Sequence, residues 1–204
     1  MNDQHWDEVY TRKASDEVSW YRPHLDQSLK LIDEAGLSPE AAIIDVGAGA
    51  STLVDDLLDR GYRRLSMLDL SERALDVAMT RLGQRSGAVQ WLVGDVTTLP
   101  LPEATFDLWH DRAVFHFLTD PLLRARYVEV VRRALKPGGR VIVATFSHEG
   151  PTTCSGLEVA RYEEGEVHAV FGDDFAPLRC LPELHHTPSG KPQAFLYCEC
   201  RLRQ

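Results

Sequence analysis

The feature that most constrains this 204-residue chain is the stretch Ile43–Ser51, IIDVGAGAS, where an apolar run ends in an acid and then in two glycines one residue apart. Ile43, Ile44 and Val46 suit a buried strand. Gly47 and Gly49 let the backbone turn sharply and approach a ligand with no Cβ in the way. The residues that follow, STLVDDLLDRG, repeat Leu53, Val54, Leu57 and Leu58 at helical spacing. A strand, a glycine turn and a helix whose N-terminus faces the turn make a nucleotide-type loop.

The same alternation recurs along the chain. RLSMLDL is a second strand, and SERALDVAMTRLG a second helix, with Ser71 as its cap, Arg73 to Leu82 as its body and Gly83 at its end. VQWLVGDV is a third strand and FDLWHDR a fourth. DPLLRARYVEVVRRALKPGG is a helix starting at Asp120 with a Pro-Gly-Gly stop, leading into RVIVATF as the fifth strand. Beyond Phe146 the reading changes to a loop, SHEGPTTCSG, a helix, LEVARYEEGEVHAVFG, and two strands, FAPLRCLPELHH and QAFLYCECRL, joined as a hairpin by TPSGKP. Repeated strand–helix units imply an α/β fold with parallel strands, right-handed crossovers and helices on both faces of the sheet.

Before the first strand, the chain reads as a short helix, an aromatic loop and a longer helix from about His24, leaving Trp6, Tyr10, Trp20 and Tyr21 outside the regular units. These aromatics either pin the extension to the core or close over a ligand at the carboxyl ends of the strands, where open α/β sheets bind small molecules. The length suits a single domain. It divides into a helical and aromatic lid (1–38), a cofactor-binding core (39–147) and a substrate-side loop, helix and hairpin (148–204). A net charge of −9 argues against a phosphate-tracking surface, so no nucleic-acid partner is expected. No apolar run reaches membrane-span length and no signal-peptide core is visible, so no membrane partner and a cytoplasmic location are expected. The four cysteines, Cys154, Cys180, Cys198 and Cys200, lack zinc-type spacing. They read as reduced core thiols, with no metal site, and the two of CEC share one face of a strand.

The glycine loop alone leaves two cofactors open. A dinucleotide loop wants a third glycine three residues after the second, where this chain has Thr52. Asp45, two residues before the first glycine, repels a diphosphate and suits a ligand that brings a cation. Asp69 ends the second strand, where an acid accepts ribose hydroxyls in either class of fold, and Asp95 of GDV adds a third acid on the same edge, placed to accept from an adenine amino group. A cationic adenosine with free ribose hydroxyls and no diphosphate describes S-adenosylmethionine.

On these residues the chain resembles the class I, Rossmann-like S-adenosylmethionine-dependent methyltransferases over about residues 20 to 204. The matching pieces are IIDVGAGAS, LDLS, GDV, FDLWHDRAVFHFL and LKPGGRVIVATF. The resemblance implies a seven-stranded sheet of order 3-2-1-4-5-7-6 with strand seven antiparallel. It also implies cofactor contacts from Trp20, Asp45, Gly47, Ala48, Gly49, Asp69, Leu70, Asp95, Val96 and Asp111, with S-adenosylhomocysteine as product. Ser51 stands where many members carry a third glycine, and is a good helix cap.

The acceptor is less legible. HDRA follows the fourth strand where base- and glutamine-methylating members carry Asn/Asp-Pro-Pro-Tyr, which argues against amino methylation of DNA. WDEVY and DEVSWYRPHL are similar to the thiopurine, thiol and tellurite methyltransferases, which implies a small-molecule acceptor with a thiol or other chalcogen nucleophile. A short WD…Y opening also occurs in protein-lysine methyltransferases. Candidate substrate contacts are Tyr10, Tyr21, Arg112, His116 and Cys154, and candidate proton acceptors are His116, Asp111 and His148. His185 and His186 are adjacent in a strand and point to opposite faces, which disfavours a shared metal. The chain is expected to be a monomer or homodimer. A nicotinamide-dependent oxidoreductase and a non-catalytic cofactor-binding module remain the alternatives.

Overall fold

The computed structural model describes residues 3–12 and 14–204; residues 1, 2 and 13 of the expected lid lie outside the described residues. In chain order the elements are α1 (Asp3–Arg12), α2 (Asp26–Glu34), β1 (Ala42–Val46), α3 (Leu53–Asp59), β2 (Arg64–Asp69), α4 (Glu72–Leu82), β3 (Val89–Val93), β4 (Phe106–Arg112), α5 (Pro121–Ala134), β5 (Leu135–Phe146), β6 (Thr153–Cys154), β7 (Leu157–Glu158), α6 (Glu166–Phe171), β8 (Phe175–His186) and β9 (Pro192–Leu202). Seven strands form one sheet of order β3-β2-β1-β4-β5-β9-β8, with β9 antiparallel to both neighbours. Once the two-residue ribbon β6–β7 is set aside, this is the expected 3-2-1-4-5-7-6 arrangement.

The local signals act as their chemistry predicts. Ser71 caps α4 by accepting from the Ala74 amide at 3.1 Å, and Asp120 caps α5 by accepting from the Leu122 amide at 2.8 Å. All five residues of β1 are buried, as a central parallel strand requires. One apolar layer, including Leu29, Ile32, Ile43, Leu57, Leu108, Phe146 and Phe195, fills the sheet face covered by α2 and α3. The other, including Ile44, Trp109, Phe115, Tyr127, Val143 and Phe171, fills the face covered by α5 and α6. β8 is an edge strand and carries Pro177 and Pro182, residues that an edge tolerates because a missing N–H on the open side breaks no ladder.

Three expectations need correction. The helix read over 157–172 exists only at Glu166–Phe171. Its first half is extended, because the Val159 amide donates to Thr152 O, Ala160 to His116 O and Tyr162 to Phe146 O, and Gly165, with φ +91°, starts the helix late. β5 begins at Leu135 rather than after the Pro-Gly-Gly, since Leu135 already pairs with Phe106 across an irregularity in the β4–β5 register. Finally, Cys180 and Cys198 are direct cross-strand partners, with Cα atoms 4.3 Å apart, and are joined as a disulfide. Cys154 and Cys200 take part in no disulfide. The spacing of 18 residues gave no hint, because the pairing is made by hairpin register.

Candidate functional site

Parallel strands place all their carboxyl ends on one edge, so the turns after β1, β2 and β4 meet there. Gly47 and Gly49 both adopt left-handed φ, +67° and +49°. A Cβ at Gly47 would overlap the Val114 side chain, and one at Gly49 the Tyr10 hydroxyl. The amides of Gly47 and Ala48 donate to Leu68 O at 2.8 and 3.1 Å, which ties the loop to the end of β2. This is a cradle that only glycine permits.

Asp69 stands beside it. Its Oδ2 accepts from the Gly49 amide and its Oδ1 from the Ser71 amide, each at 2.8 Å. Burial raises its pKa to about 6, against the opposing pull of those two amides. Each oxygen keeps a lone pair for a further donor.

A cleft opens over the cradle, lined on the side of the strand ends by Val46, Gly47, Asp69, Leu70, Gly94 and Val96. Its other wall includes Trp6, Tyr10, Trp20, Phe117 and Cys154. The rings interlock edge-to-face: Trp6 lies 6.0 Å from Trp20 and 5.1 Å from Phe117, and Tyr10 lies 6.2 Å from Trp20. The N-terminal segment packs beside the carboxyl edge, and α1 is fastened to α4 by the Ser71 hydroxyl, which donates to Asp7 at 2.5 Å. Burial, followed by the charge of Asp69, raises the pKa of Tyr10.

Asp45 lines an adjoining pocket with Tyr21, Ala48 and His110. It is almost wholly buried, and its Oδ1 lies 2.6 Å from His110 Nδ1; the opposite ring nitrogen lies 2.8 Å from the Ser28 hydroxyl. The two strands pair Asp45 with His110 in register. The acid is thus held by His110, a candidate group beside the fourth-strand lip whose place inside a strand favours a packed histidine over a catalytic one.

Several predicted site residues are elsewhere or otherwise engaged. Asp111 is fully buried and lines neither pocket. It accepts from the Val114 amide at 2.9 Å, the Phe115 amide at 3.1 Å and the Tyr127 hydroxyl at 2.6 Å, so it shapes the lip after β4. Burial raises its pKa to about 6 despite these donors. His116 is fully buried against Phe117 and Phe146, with ring centroids 4.5 and 4.7 Å away, and burial lowers its pKa to about 3. His148 is exposed and pairs with Glu163 and Glu166 at 2.9 and 3.3 Å. Asp95 accepts from the Thr97 amide and hydroxyl at 2.8 and 2.7 Å, an Asx turn after β3.

Arg112 reaches both pockets: Nε donates to Tyr197 at 2.9 Å, Nη1 to Trp20 O at 2.9 Å, the guanidinium lies 4.7 Å over Phe195, and Nη2, 3.8 Å from Glu183, is buried with no hydrogen-bond partner among the described residues. It acts as a strut under the aromatic segment. Among the described residues one group offers metal-ligand spacing, His168 with Cys180 and Cys198, and there the two sulfurs form the disulfide.

Residues 43–139 match the family model described as "Methyltransferase domain". The chain is 26% identical over 174 residues to the demethylmenaquinone methyltransferase of Renibacterium salmoninarum, covering 85% of this chain and 63% of that protein. It is 28% identical over 149 residues to the eEF1A lysine and N-terminal methyltransferase of Mus musculus, covering 70% of this chain and 21% of that one. The chain thus spans less than two thirds of either relative. Among solved structures, the Burkholderia thailandensis 1,6-didemethyltoxoflavin-N1-methyltransferase, bound to 1,6-didemethyltoxoflavin and S-adenosylhomocysteine, superposes with a TM-score of 0.71 at 21% identity. The match covers 99% of this chain and 84% of that one. The fold is the Rossmann-like one seen in that methyltransferase.

Proposed function

We propose that this chain is an S-adenosylmethionine-dependent methyltransferase acting on a small molecule through a thiol or another soft chalcogen nucleophile. The observation that carries the cofactor is the glycine cradle facing Asp69 at the carboxyl edge, where a Cβ at Gly47 or Gly49 would meet a side chain already in place. The cofactor supplies a methyl group on a sulfonium. Asp69, fixed by two amides, accepts the ribose hydroxyls. Leu70 and Val96 offer apolar contacts for the adenine, and the buried Asp45, oriented by His110, supplies negative charge behind the loop that faces the cation.

Apart from the Cys154 thiol, the ionisable groups lining the main cleft support a soft acceptor. Arg112 is a fixed cation, Asp69 is engaged by backbone amides, and Tyr10 is held in its protonated form. Such a wall aligns the acceptor and excludes water. That suffices for in-line displacement onto a nucleophile that ionises readily by itself. Tyr10, Tyr21, Trp20 and Cys154 border the acceptor, and the protein works as a monomer or homodimer in the cytoplasm.

The test is S-adenosylhomocysteine release against a panel of aryl and alkyl thiols, selenols, quinols and catechols. Turnover of thiols ahead of hydroxyl acceptors is expected. A second reading, methylation of protein lysines, is favoured by the similarity to the eEF1A lysine and N-terminal methyltransferase. Radiolabelled methyl appearing in extract proteins with every thiol inert would replace the first reading with the second.

A further inference from the structure

Between α1 and α2 the aromatic segment has no helix or strand of its own from Ala14 to Leu25, yet it carries Trp20 into the cleft wall. Three of its carbonyls are gripped by side chains of the core. Ser19 O accepts from His185 Nε2 at 2.7 Å, Trp20 O from Arg112 Nη1 at 2.9 Å, and Arg22 O from the Thr52 hydroxyl at 3.0 Å. The first two carbonyls are consecutive, while their donors come from β8 and β4, which β5 and β9 separate in the sheet. We propose that His185 and Arg112 form a latch that sets the register of the aromatic lid over the cleft, with His185 as a positioning residue that touches neither cofactor nor acceptor.

The geometry of His185 supports a dedicated role. It is fully buried near the end of an edge strand whose adjacent residues, Leu184 and His186, are exposed. A carbonyl only accepts, so Nε2 carries the proton and Nδ1 is left as a bare acceptor, buried with no hydrogen-bond partner among the described residues. Burial lowers the pKa to about 4, so the ring stays neutral near pH 7. A buried imidazole with one nitrogen unsatisfied is costly as packing alone. Its gain is the bond to Ser19. Arg112 is itself braced by Tyr197, by Phe195 beneath it and by Glu183 at 3.8 Å. The β8–β9 hairpin thereby holds the lid from beneath, which gives the C-terminal strands a hold on the acceptor side of the site.

Hydrogen exchange on the full chain without cofactor tests this directly. His185→Leu should speed exchange of residues 14–22 by on the order of tenfold relative to β1 and β4, because a buried carbonyl loses its donor. His185→Gln, whose amide N–H reaches a similar position, should restore protection, and His186→Ala should leave it unchanged. If His185→Leu does not fold, His185→Asn replaces it, its amide being too short to reach Ser19. Equal acceleration over lid and sheet, unchanged lid exchange, or failure of rescue by His185→Gln would overturn the latch. Only a second arm rests on the methyltransferase reading: S-adenosylmethionine affinity by calorimetry should fall about tenfold in His185→Leu and recover in His185→Gln. A wild-type chain that does not bind S-adenosylmethionine refutes the methyltransferase reading, while the exchange experiment still judges the latch.

Discussion

Lowering the pH from 7 to 5 should weaken S-adenosylhomocysteine binding through a single group, Asp69. Its pKa is raised to about 6, and the ribose hydroxyls need the ionised carboxylate as acceptor. The ionised fraction of a group with that pKa falls from about 0.9 at pH 7 to about 0.1 at pH 5, so affinity should fall about tenfold, or about 1.4 kcal/mol. Global unfolding does not mimic this through the same group. A carboxylate whose native pKa lies above its unfolded value binds more protons in the native state, so its contribution to stability declines as pH rises through the window from 3.8 to about 6 and is retained below it. Asp111, also raised to about 6, carries the same sign and lines neither pocket. The assay is calorimetric titration of S-adenosylhomocysteine from pH 5 to 7.5, with the melting temperature recorded at each pH and Asp69→Asn in parallel. Asp69→Asn should bind more weakly than wild type at pH 7 and show little pH dependence. A flat wild-type profile, or the same slope in Asp69→Asn, would refute the assignment of the ribose acid.

Gly47→Ala forces a side chain into left-handed backbone and onto Val114; cofactor affinity should fall at least about tenfold by the same titration, from strain of about 1–3 kcal/mol. Tyr127→Phe removes a fully buried hydroxyl that accepts from Trp109 Nε1 at 2.9 Å and donates to Asp111 at 2.6 Å. It should cost about 2–4 kcal/mol in urea unfolding at constant m, and a loss below about 0.5 kcal/mol would dismiss the network as energetically idle. Trp20→Ala opens the aromatic wall, so the apparent constants for cofactor and acceptor should rise together in steady-state assays. An unchanged pair would reduce Trp20 to surface packing.

The legible parts of this protein are those encoded within a few residues of chain. The spacing Gly47-x-Gly49, the caps Ser71 and Asp120, and the apolar runs of β1, β4 and β9 each act locally, so the α/β plan and the ligand edge could be read from their alternation, while the strand order followed from the family resemblance those motifs carry. The stretch 157–162 misled because its extended form is set by amides donating to Thr152, His116 and Phe146, partners that helical periodicity does not reveal. Asp111 accepts from the Val114 and Phe115 amides and the Tyr127 hydroxyl, and Asp95 Oδ1 from Thr97, contacts that residue type alone does not announce. His148 is drawn to surface glutamates rather than to the cleft.

By itself the sequence determined the α/β plan, the glycine cradle and the acid at Asp69, because backbone freedom and strand–helix alternation are properties of short segments. Tertiary structure alone decided which side chains keep free valence at the carboxyl edge. It tied Asp45 to His110, committed Arg112 to Trp20 and Tyr197, paired Cys180 with Cys198, and brought His185 beneath a lid 166 residues away in the chain. A hydrogen bond or a disulfide depends on distance in space, and for these residues that distance is set by sheet order and hairpin register rather than by position along the chain.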